Sequence, residues 1–179
     1  MTTLSGALSG SGGITQNSSG TLVLSGSNAY TGATNVNAGI LSLTSSTGLG
    51  QSAVTVNGGT LQLNNIVIGN TLSLSGSGAA GTNGALVGIN TSQVTSNLTL
   101  DGATILGTVN NADRLTMSGT INGANDLTIQ GPGTLVFANT IGNTTPLSSL
   151  TTSSTGNTTV NTSSIVTTNN QTYLSLIHI

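Results

Sequence analysis

The amino-acid sequence predicts an all-β chain wound into a parallel β-helix, also called a β-solenoid, and two observations lead to this prediction. Short segments in which apolar and polar residues alternate recur along the chain at intervals near 20 residues. The chain also carries almost no charge, with one Arg, no Lys, three Asp and no Glu among 179 residues. A repeat of this length indicates coils that bury their apolar side chains only by stacking on one another.

The alternating segments are predicted to be short β-strands. Each has an apolar residue at every second position and ends at Gly or Asn, a pattern typical of a strand with one buried side. Gly, Asn, Ser and Thr weaken helices, and no part of the sequence carries a helical apolar stripe, so we expect almost no helix. The clearest segments are Leu22–Gly26, Leu61–Asn64, Leu72–Gly76, Leu98–Gly102, Leu115–Gly119 and Leu127–Gly131.

The polar composition agrees with stacked coils. Thr, Ser, Asn and Gly occupy 104 of the 179 positions, and Leu, Ile, Val and Phe occupy 46. Equivalent residues of neighbouring coils lie about 4.8 Å apart, so charged side chains would form repelling columns, whereas hydroxyl and amide side chains do not. Coils of about 20 residues divide the chain into roughly nine coils, or about 40 Å of rod. The rule for parallel crossovers predicts a right-handed winding.

A sandwich of antiparallel hairpins is the competing architecture. Asn57-Gly58, Asp101-Gly102 and Asn122-Gly123 have the residue types of two-residue hairpin turns. A sandwich has exposed edge strands, which usually carry lysine to prevent pairing with other chains, and this chain has no lysine. The near absence of charge therefore favours the solenoid.

One segment, residues 21–43, resembles a known repeat. Its order of residues is similar to the passenger-associated strand repeat of autotransporters, the type V secreted surface proteins of Gram-negative bacteria. The resemblance implies a single-stranded, right-handed, pectin-lyase-like β-helix, in which the Leu and Val residues of the segment face inward, its Gly residues form corners and its Tyr covers a corner. The residues that carry the resemblance are Leu22, Leu24, Gly26, Asn28, Tyr30, Gly32, Thr34, Val36, Gly39, Leu41 and Leu43.

Residues 134–173 resemble a second kind of repeat, that of filamentous-haemagglutinin-like exoproteins and large autotransporter adhesins. The resemblance lies in Thr134–Phe137, Thr144–Leu147 and Asn170–Tyr173. Residues 174–179 depart from the composition of the preceding chain and resemble translated sequencing-adapter DNA. We therefore expect a solenoid passenger fragment over residues 1–173 and a non-native tail over residues 174–179.

These resemblances imply a non-catalytic function, that of a structural and adhesive rod segment of a type V secreted surface protein. The expected partners are a host-cell or glycan surface, or like chains, and no cofactor is expected. The expected location is the bacterial cell surface or the extracellular medium, with an export signal upstream and a translocator barrel in the full-length parent. Loops at residues 76–91 and 151–164 are expected to present contacts.

Two other functions remain open as alternatives. One is a self-assembling, amyloid-like extracellular matrix protein, because uncapped strands with little charge invite strand addition. The other is a fragment of a β-helix enzyme that processes polysaccharides. Ice binding is disfavoured because no Thr-x-Thr triplet occurs in the sequence.

The composition excludes several further classes of partner. A single Arg cannot hold a nucleic-acid backbone, and the fragment has no run of 18 apolar residues for insertion into a membrane. The absence of Cys excludes disulfides and thiolate metal sites. Gly76–Gly81 matches GxGxxG, but the residues after it cannot open the helix that a dinucleotide needs, so we interpret it as a loop between coils.

The carboxylates are the remaining candidates for catalysis. Asp101, Asp113 and Asp126 are separated by 12 and 13 residues, which is not one coil, so a shared site is not expected. Asp113 and Arg114 are interpreted as a solvent-exposed pair. None of the three Asp ends a calcium-binding GGxGxD run, and the only His, His178, lies in the suspected tail. The sequence thus predicts no catalytic, cofactor or metal site.

Overall fold

The structure is a computed structural model that describes residues 1–153 and 155–178. All its strands pair in parallel, and the described residues form no helix. Strands of successive coils stack into a β-solenoid of about nine turns, which confirms the predicted fold class. The strands are β1 (Thr2–Leu4), β2 (Ile14–Gln16), β3 (Thr21–Leu24), β4 (Thr34–Val36), β5 (Ile40–Leu43), β6 (Val54–Asn57), β7 (Thr60–Asn64), β8 (Val67–Ile68), β9 (Leu72–Gly76), β10 (Leu86–Ile89), β11 (Thr91–Val94), β12 (Leu98–Thr108), β13 (Arg114–Met117), β14 (Ile121–Asn122), β15 (Leu127–Gln130), β16 (Thr134–Phe137), β17 (Leu150–Thr152), β18 (Asn157–Val160), β19 (Gln171–Tyr173) and β20 (Leu176–His178).

The coils have up to three sides, which we call faces A, B and C. Face A holds β1, β3, β5, β7, β10, the second part of β12, β15, β17 and β19, and face B holds β2, β4, β6, β9, the first part of β12 and β14. Face C holds β8, β11, β13, β16, β18 and β20. β12 turns the corner between faces B and A, where its pairing with β9 shifts register between Leu100 and Thr104. Because face C begins at Val67, the earlier described coils have strands on two sides only, and we call them two-sided, whereas the later ones have strands on three sides. The right-handed winding and the pectin-lyase-like type stay predictions.

Each face lines the interior with a column of side chains, one from each coil. Alternation within the strands turns these side chains inward, and their apolar members form one continuous hydrophobic cluster. Equivalent positions of face A are 19 to 25 residues apart. The columns are Leu22, Leu41, Leu61, Leu86, Leu106, Ile129 and Thr152 on face A, Ile14, Thr34, Val54, Leu72, Leu98, Ile121, Ile141 and Ile165 on face B, and Ile68, Val94, Met117, Phe137 and Val160 on face C.

The longest coil carries a strap, residues 77–85, between β9 and β10. The Thr60 hydroxyl accepts a hydrogen bond from the backbone N–H of Ala79 at 2.9 Å and lies 2.8 Å from the Thr82 hydroxyl. The Asn83 amide donates to the carbonyl oxygen of Thr108 at 2.6 Å. These bonds fasten the strap to strands of face A on both sides of β10.

Thr152 is the polar exception in the face A column. It follows Ile129 in register and is fully buried, and its hydroxyl has no hydrogen-bond partner in the part of the chain that the structure describes. A buried hydroxyl without a partner costs about 1–3 kcal/mol. We expect Thr152→Val to raise the free energy of unfolding by about 1 kcal/mol, measured by chemical denaturation followed by circular dichroism.

Thr158 provides the matched control for this prediction. It is also fully buried, but its hydroxyl lies 3.2 Å from the Ser175 hydroxyl, so Thr158→Val removes a hydrogen bond that the chain makes. We expect this control variant to gain no stability. An equal gain in both variants would show that the unpaired hydroxyl of Thr152 is not the cause.

Candidate functional surfaces

The segment that resembles a passenger-associated repeat lies in the two-sided coils, over β3, β4 and β5. At its tightest corner Gly39 has φ 58°, and a Cβ there would lie 2.2 Å from the carbonyl oxygen of Ser18. The corner therefore excludes a side chain. Of the five Leu and Val residues that carry the resemblance, four are fully buried and Leu22 is half-buried. These side chains are Leu22, Leu24, Val36, Leu41 and Leu43.

Asn28 joins three successive coils with one amide. Its Oδ1 accepts a hydrogen bond from the backbone N–H of Leu8 at 2.8 Å, and its Nδ2 donates to the carbonyl oxygen of Gly48 at 2.6 Å. The side chain is 7% exposed, so water competes little for these bonds. Gly26 and Gly32 lie on either side of Asn28, where the backbone of the preceding coil passes close by.

Tyr30 and Thr34 form a buried chain of hydroxyl groups. The Tyr30 hydroxyl lies 2.8 Å from the Thr34 hydroxyl, which lies 2.9 Å from the Ser52 hydroxyl in the next coil. Ser52 in turn donates to the carbonyl oxygen of Leu49 at 2.9 Å. Thr34, the polar side chain that interrupts the face B column, therefore has hydrogen-bond partners for its hydroxyl. These bonds link the segment to the following coil.

The outer side of face B carries a column of neutral polar side chains, which we call the face B polar column. Its members come from six successive coils, and they are exposed or half-exposed. None of them is charged or aromatic, so the column offers hydrogen-bond donors and acceptors at intervals of about 4.8 Å without fixed charge. The members are Thr15, Asn35, Thr55, Ser73, Thr99 and Asn122.

A small groove of about 190 Å³ lies beside the middle of this column. Thr55, Asn57, Ser75 and Asp101 line it together with Val56. The Ser73 hydroxyl donates a hydrogen bond to the Asp101 carboxylate. The groove thus adds one carboxylate to the otherwise neutral column.

A second polar groove, of about 480 Å³, contains Asp126. The Ser149 hydroxyl donates to the Asp126 carboxylate at 2.7 Å, and hydrogen bonds from Ser149 and then Ser148 hold the pKa of this carboxyl below its ordinary value of 3.8. Asp126 therefore stays ionised at any pH above its ordinary range. The remaining lining residues are Thr151, Asn169, Asn170 and Thr172.

Asp113 corrects one interpretation of the sequence, because it is buried rather than part of a solvent-exposed pair with Arg114. It is 3% exposed, and its carboxylate accepts hydrogen bonds from the backbone N–H groups of Asn90 at 2.7 Å, Val109 at 3.1 Å and Asn110 at 2.6 Å. Arg114 is exposed at the start of β13. The Asp113 carboxylate is thus a structural bridge between two coils.

The three carboxylates are engaged separately in the structure. The two grooves that hold Asp101 and Asp126 each contain one acid, and the third acid, Asp113, is occupied by backbone donors. Within residues 1–153 and 155–178 no group of three or more His, Cys, Asp or Glu could hold a metal ion. The GxGxxG match at Gly76–Gly81 spans the last residue of β9 and the first part of the strap. The next element after it is a strand, β10, and not a helix.

The two segments expected as contact loops are partly strand. Residues 76–91 contain β10 and the strap fastened to face A, and residues 151–164 contain the end of β17 and all of β18, apart from residue 154, which lies outside the described residues. Parts of both segments are therefore paired with neighbouring coils and do not project as loops.

The chain beyond residue 173 continues face C, since β20 pairs with β18. Leu174 and Leu176 are 72% and 63% exposed, and Ile179 lies outside the described residues. The non-native origin of residues 174–179 stays a prediction, as do the domain boundaries and the haemagglutinin-like repeats. No helix in the described part of the chain is long and apolar enough to span a membrane.

Neither the face B polar column nor the Asp126 groove is among the sites predicted from the sequence. A signal for the groove is present, because Asp126, Ser149 and Asn170 each precede residues that share one register, namely Leu127, Leu150 and Gln171. Alignment of the coils by their inward residues would also have shown the face B polar column.

Comparison with protein families finds one match. The model of the passenger-associated-transport-repeat matches residues 14–43. The match confirms the resemblance seen at residues 21–43 and extends it to include β2. Together with the β-solenoid it fits a passenger segment of an autotransporter. Comparison with curated proteins and with solved structures gives no match.

Proposed function

We propose that the chain is a structural and adhesive rod segment of a surface protein that is exported by type V secretion and acts outside the cell. The observation that carries this proposal is the passenger-associated-transport-repeat at residues 14–43, placed within a continuous solenoid of about nine turns. The repeat is an integral part of the rod, because β3, β5 and β7 stack without interruption on face A.

The rod function is supported by the way in which the coils are joined. The backbone of each coil pairs with that of the next, and apolar columns run through the interior of all faces. Each coil contacts only its neighbours, so length is gained by addition of coils and not by enlargement of a core. Such a rod places a binding surface at a distance from its anchor.

The adhesive function is assigned to the face B polar column. The strap is fastened to β7 and β12 of face A, and the outer side of face C carries Arg114 and the exposed Val67. Among the faces that the described residues form, only face B presents hydroxyl and amide groups on six successive coils. Neutral glycans offer matching hydroxyl groups, and we propose a glycan-bearing host-cell surface as the partner.

A non-catalytic role is part of the same proposal. General acid–base cleavage of a glycosidic bond needs two carboxyl groups about 5–10 Å apart across one site. Asp101 and Asp126 lie in separate grooves, and both oxygens of Asp113 accept hydrogen bonds from backbone N–H groups. These arrangements support binding without turnover.

The experiment measures binding of the purified 179-residue chain to immobilised neutral oligosaccharides and to intact mammalian epithelial cells. We expect saturable binding that changes little with salt, because neutral hydrogen bonds are not screened by ions. Thr55→Val with Thr99→Val removes two hydroxyl groups from the face B polar column at constant shape and charge. Their loss is expected to weaken binding roughly tenfold or more, at about 0.5–1.5 kcal/mol for each hydrogen bond.

Thr116→Val with Thr159→Val on the outer side of face C is the matched control, since neither residue lines either of the two polar grooves, and it is expected to leave binding unchanged. Equal losses in the two double variants would remove the assignment to face B. Absence of wild-type binding on both surfaces would refute the adhesive role, and binding that disappears at high salt would indicate an ionic contact instead.

A further inference from the structure

We propose that Asn57 is a site of chemical modification, where reaction with water converts the side-chain amide to a carboxylate. The product places a second acid in the groove that contains Asp101. The reaction is independent of the adhesive function. It depends on the residue that follows Asn57, on the hydrogen bonds of the amide and on the access of water.

Three Asn-Gly pairs occur in the chain, and none of them forms a hairpin, because the strands of the described residues pair in parallel. Such a pair is chemically distinctive because glycine has no Cβ. The backbone nitrogen of the glycine can therefore approach Cγ of the preceding Asn amide more closely than the nitrogen of any other residue. The pairs are Asn57-Gly58, Asn83-Gly84 and Asn122-Gly123.

The reaction needs only the chain and water. The backbone nitrogen of Gly58 gives up its proton and attacks Cγ of Asn57. As this bond forms, the bond from Cγ to Nδ2 breaks and ammonia leaves, so a cyclic imide remains. Water then adds to the imide and opens it. Cleavage between the nitrogen and Cγ gives aspartate, whereas cleavage between the nitrogen and the backbone carbonyl carbon gives isoaspartate. Both products carry a carboxylate, and no oxidation or reduction takes place.

The amide of Asn122 is held in place by hydrogen bonds on both of its atoms. Its Oδ1 accepts from the backbone N–H groups of Thr144 at 2.9 Å and Thr145 at 3.2 Å. Its Nδ2 donates to the Thr120 hydroxyl at 3.2 Å. The amide must leave these partners before its Cγ can turn toward the following nitrogen.

The amides of Asn83 and Asn57 differ in the same respect. Nδ2 of Asn83 donates to the carbonyl oxygen of Thr108 at 2.6 Å, one of the bonds that fasten the strap. The Asn57 amide has no hydrogen-bond partner among residues 1–153 and 155–178. Of the three amides, that of Asn57 is therefore the one that turns without loss of a bond.

The attacking nitrogen does not distinguish Asn57 from Asn122. The Gly58 N–H donates to the carbonyl oxygen of Ser75 at 3.2 Å, and the Gly123 N–H donates to that of Thr145 at the same distance. Both bonds lie at the long end of the usual range. The difference between the two sites therefore lies in the side-chain amide and in its surroundings.

Access of water separates the three sites in the same order. Gly58 is exposed, whereas Gly84 and Gly123 are buried. Asn57 is exposed as well, and the other two Asn residues are half-buried. Gly58 also has φ 93°, a conformation that residues with a side chain rarely adopt, so the fold itself favours glycine after Asn57.

The new carboxylate would end the neutrality of the face B polar column. Asn57 and Thr55 lie on the same exposed side of β6, and Asn57 shares the groove of about 190 Å³ with Asp101. A carboxyl group is ionised at neutral pH, so this groove would hold two negative charges. The only Arg of the chain, Arg114, lies on face C and does not neutralise them. The column thus becomes acidic as the chain ages.

The test measures the reaction at each Asn-Gly pair of the purified 179-residue chain. Samples are kept at neutral and at mildly alkaline pH, either folded or unfolded in guanidinium chloride, and circular dichroism reports the folded state. They are then digested with pepsin in acid, where the reaction is slow. Mass spectrometry of the peptides reports the change from amide to carboxylate at each site separately. Asn57→Gln is the matched control, because its longer side chain keeps an amide but forms the cyclic imide far more slowly.

In the folded chain Asn57 is expected to react roughly tenfold or more faster than Asn83 and Asn122, whose amides must first leave their hydrogen bonds. In guanidinium chloride the three sites should react at similar rates, since each then precedes glycine in an unfolded chain. The rate at Asn57 should rise with pH because the attacking nitrogen must lose its proton. Ion-exchange chromatography should show an acidic form that accumulates in the wild type and not in Asn57→Gln.

Three results would overturn the assignment. Equal rates at the three sites of the folded chain would show that the structure does not select Asn57. Reaction of Asn57 in guanidinium chloride alone would show that the bond to Ser75 holds Gly58 too firmly for attack. Equal accumulation of the acidic form in Asn57→Gln and in the wild type would place the modification at another residue.

Discussion

Replacement of both Leu98 and Leu100 by aspartate is expected to unfold the middle of the rod. The two side chains are 1% and 2% exposed and belong to the inner side of β12, where it packs in register on β9. Loss of each buried Leu costs about 2–5 kcal/mol, and each buried carboxylate adds several more. Because a whole domain is stable by only about 5–15 kcal/mol, the coils around β12 cannot remain stacked.

Thr99→Asp is the control for this prediction, since Thr99 lies between the two leucines on the exposed side of the same strand. The measurements are the circular dichroism signal of the β-structure and the sites of limited proteolysis. The double variant should lose much of the signal and be cleaved near residue 98, whereas the control should resemble the wild type. A double variant with wild-type unfolding would contradict the inward placement of this strand.

Replacement of Asp113 by Asn is expected to lower the free energy of unfolding by about 2 kcal/mol or more. The carboxylate is the acceptor for backbone N–H groups of Asn90, Val109 and Asn110, and hydrogen bonds to a charged acceptor contribute about 1.5–3 kcal/mol each. An Asn side chain keeps one acceptor oxygen and turns N–H donors toward the remaining backbone donors. At least one partly buried N–H group is then left without a partner.

Asp126→Asn makes the same chemical change at an exposed carboxylate and removes the same charge. Surface changes of this kind shift stability by about 0.5 kcal/mol or less. Chemical denaturation of the two variants at neutral pH therefore separates the structural bridge from an effect of net charge. Similar losses in both variants would rule out the buried bridge as the reason for the stability of this region.

The inward columns could be predicted from the sequence because alternation is local information. Leu22, Leu61 and Leu98 each begin a segment whose period of two identifies the buried side without knowledge of any neighbour. The number of coils could be predicted from the repeat length. Stacking of neutral polar residues followed from the low charge, since only an architecture with columns makes such a composition favourable.

The role of Asp113 could not be predicted because it depends on contacts across coils. Val109 and Asn110 are local partners, but Asn90 is 23 residues away, so the bond that joins the two coils depends on how the chain is wound and not on the sequence around Asp113. The same is true of the strap and of face C, whose first strand, Val67–Ile68, has only two residues and no clear alternation. Which residues meet on an exposed surface also depends on the register between strands. Strands as short as these acquire a defined register only when the coils stack.

The parallel stacking has a mechanical consequence for the rod. The hydrogen bonds between coils point along its long axis, so tension applied at the two ends loads them one coil after another and not all together. A coil of 20 residues contributes about 4.8 Å to the folded rod but about 65–70 Å when drawn out. Under shear the coils would unwind one at a time, and the rod would lengthen more than tenfold before the chain is fully extended.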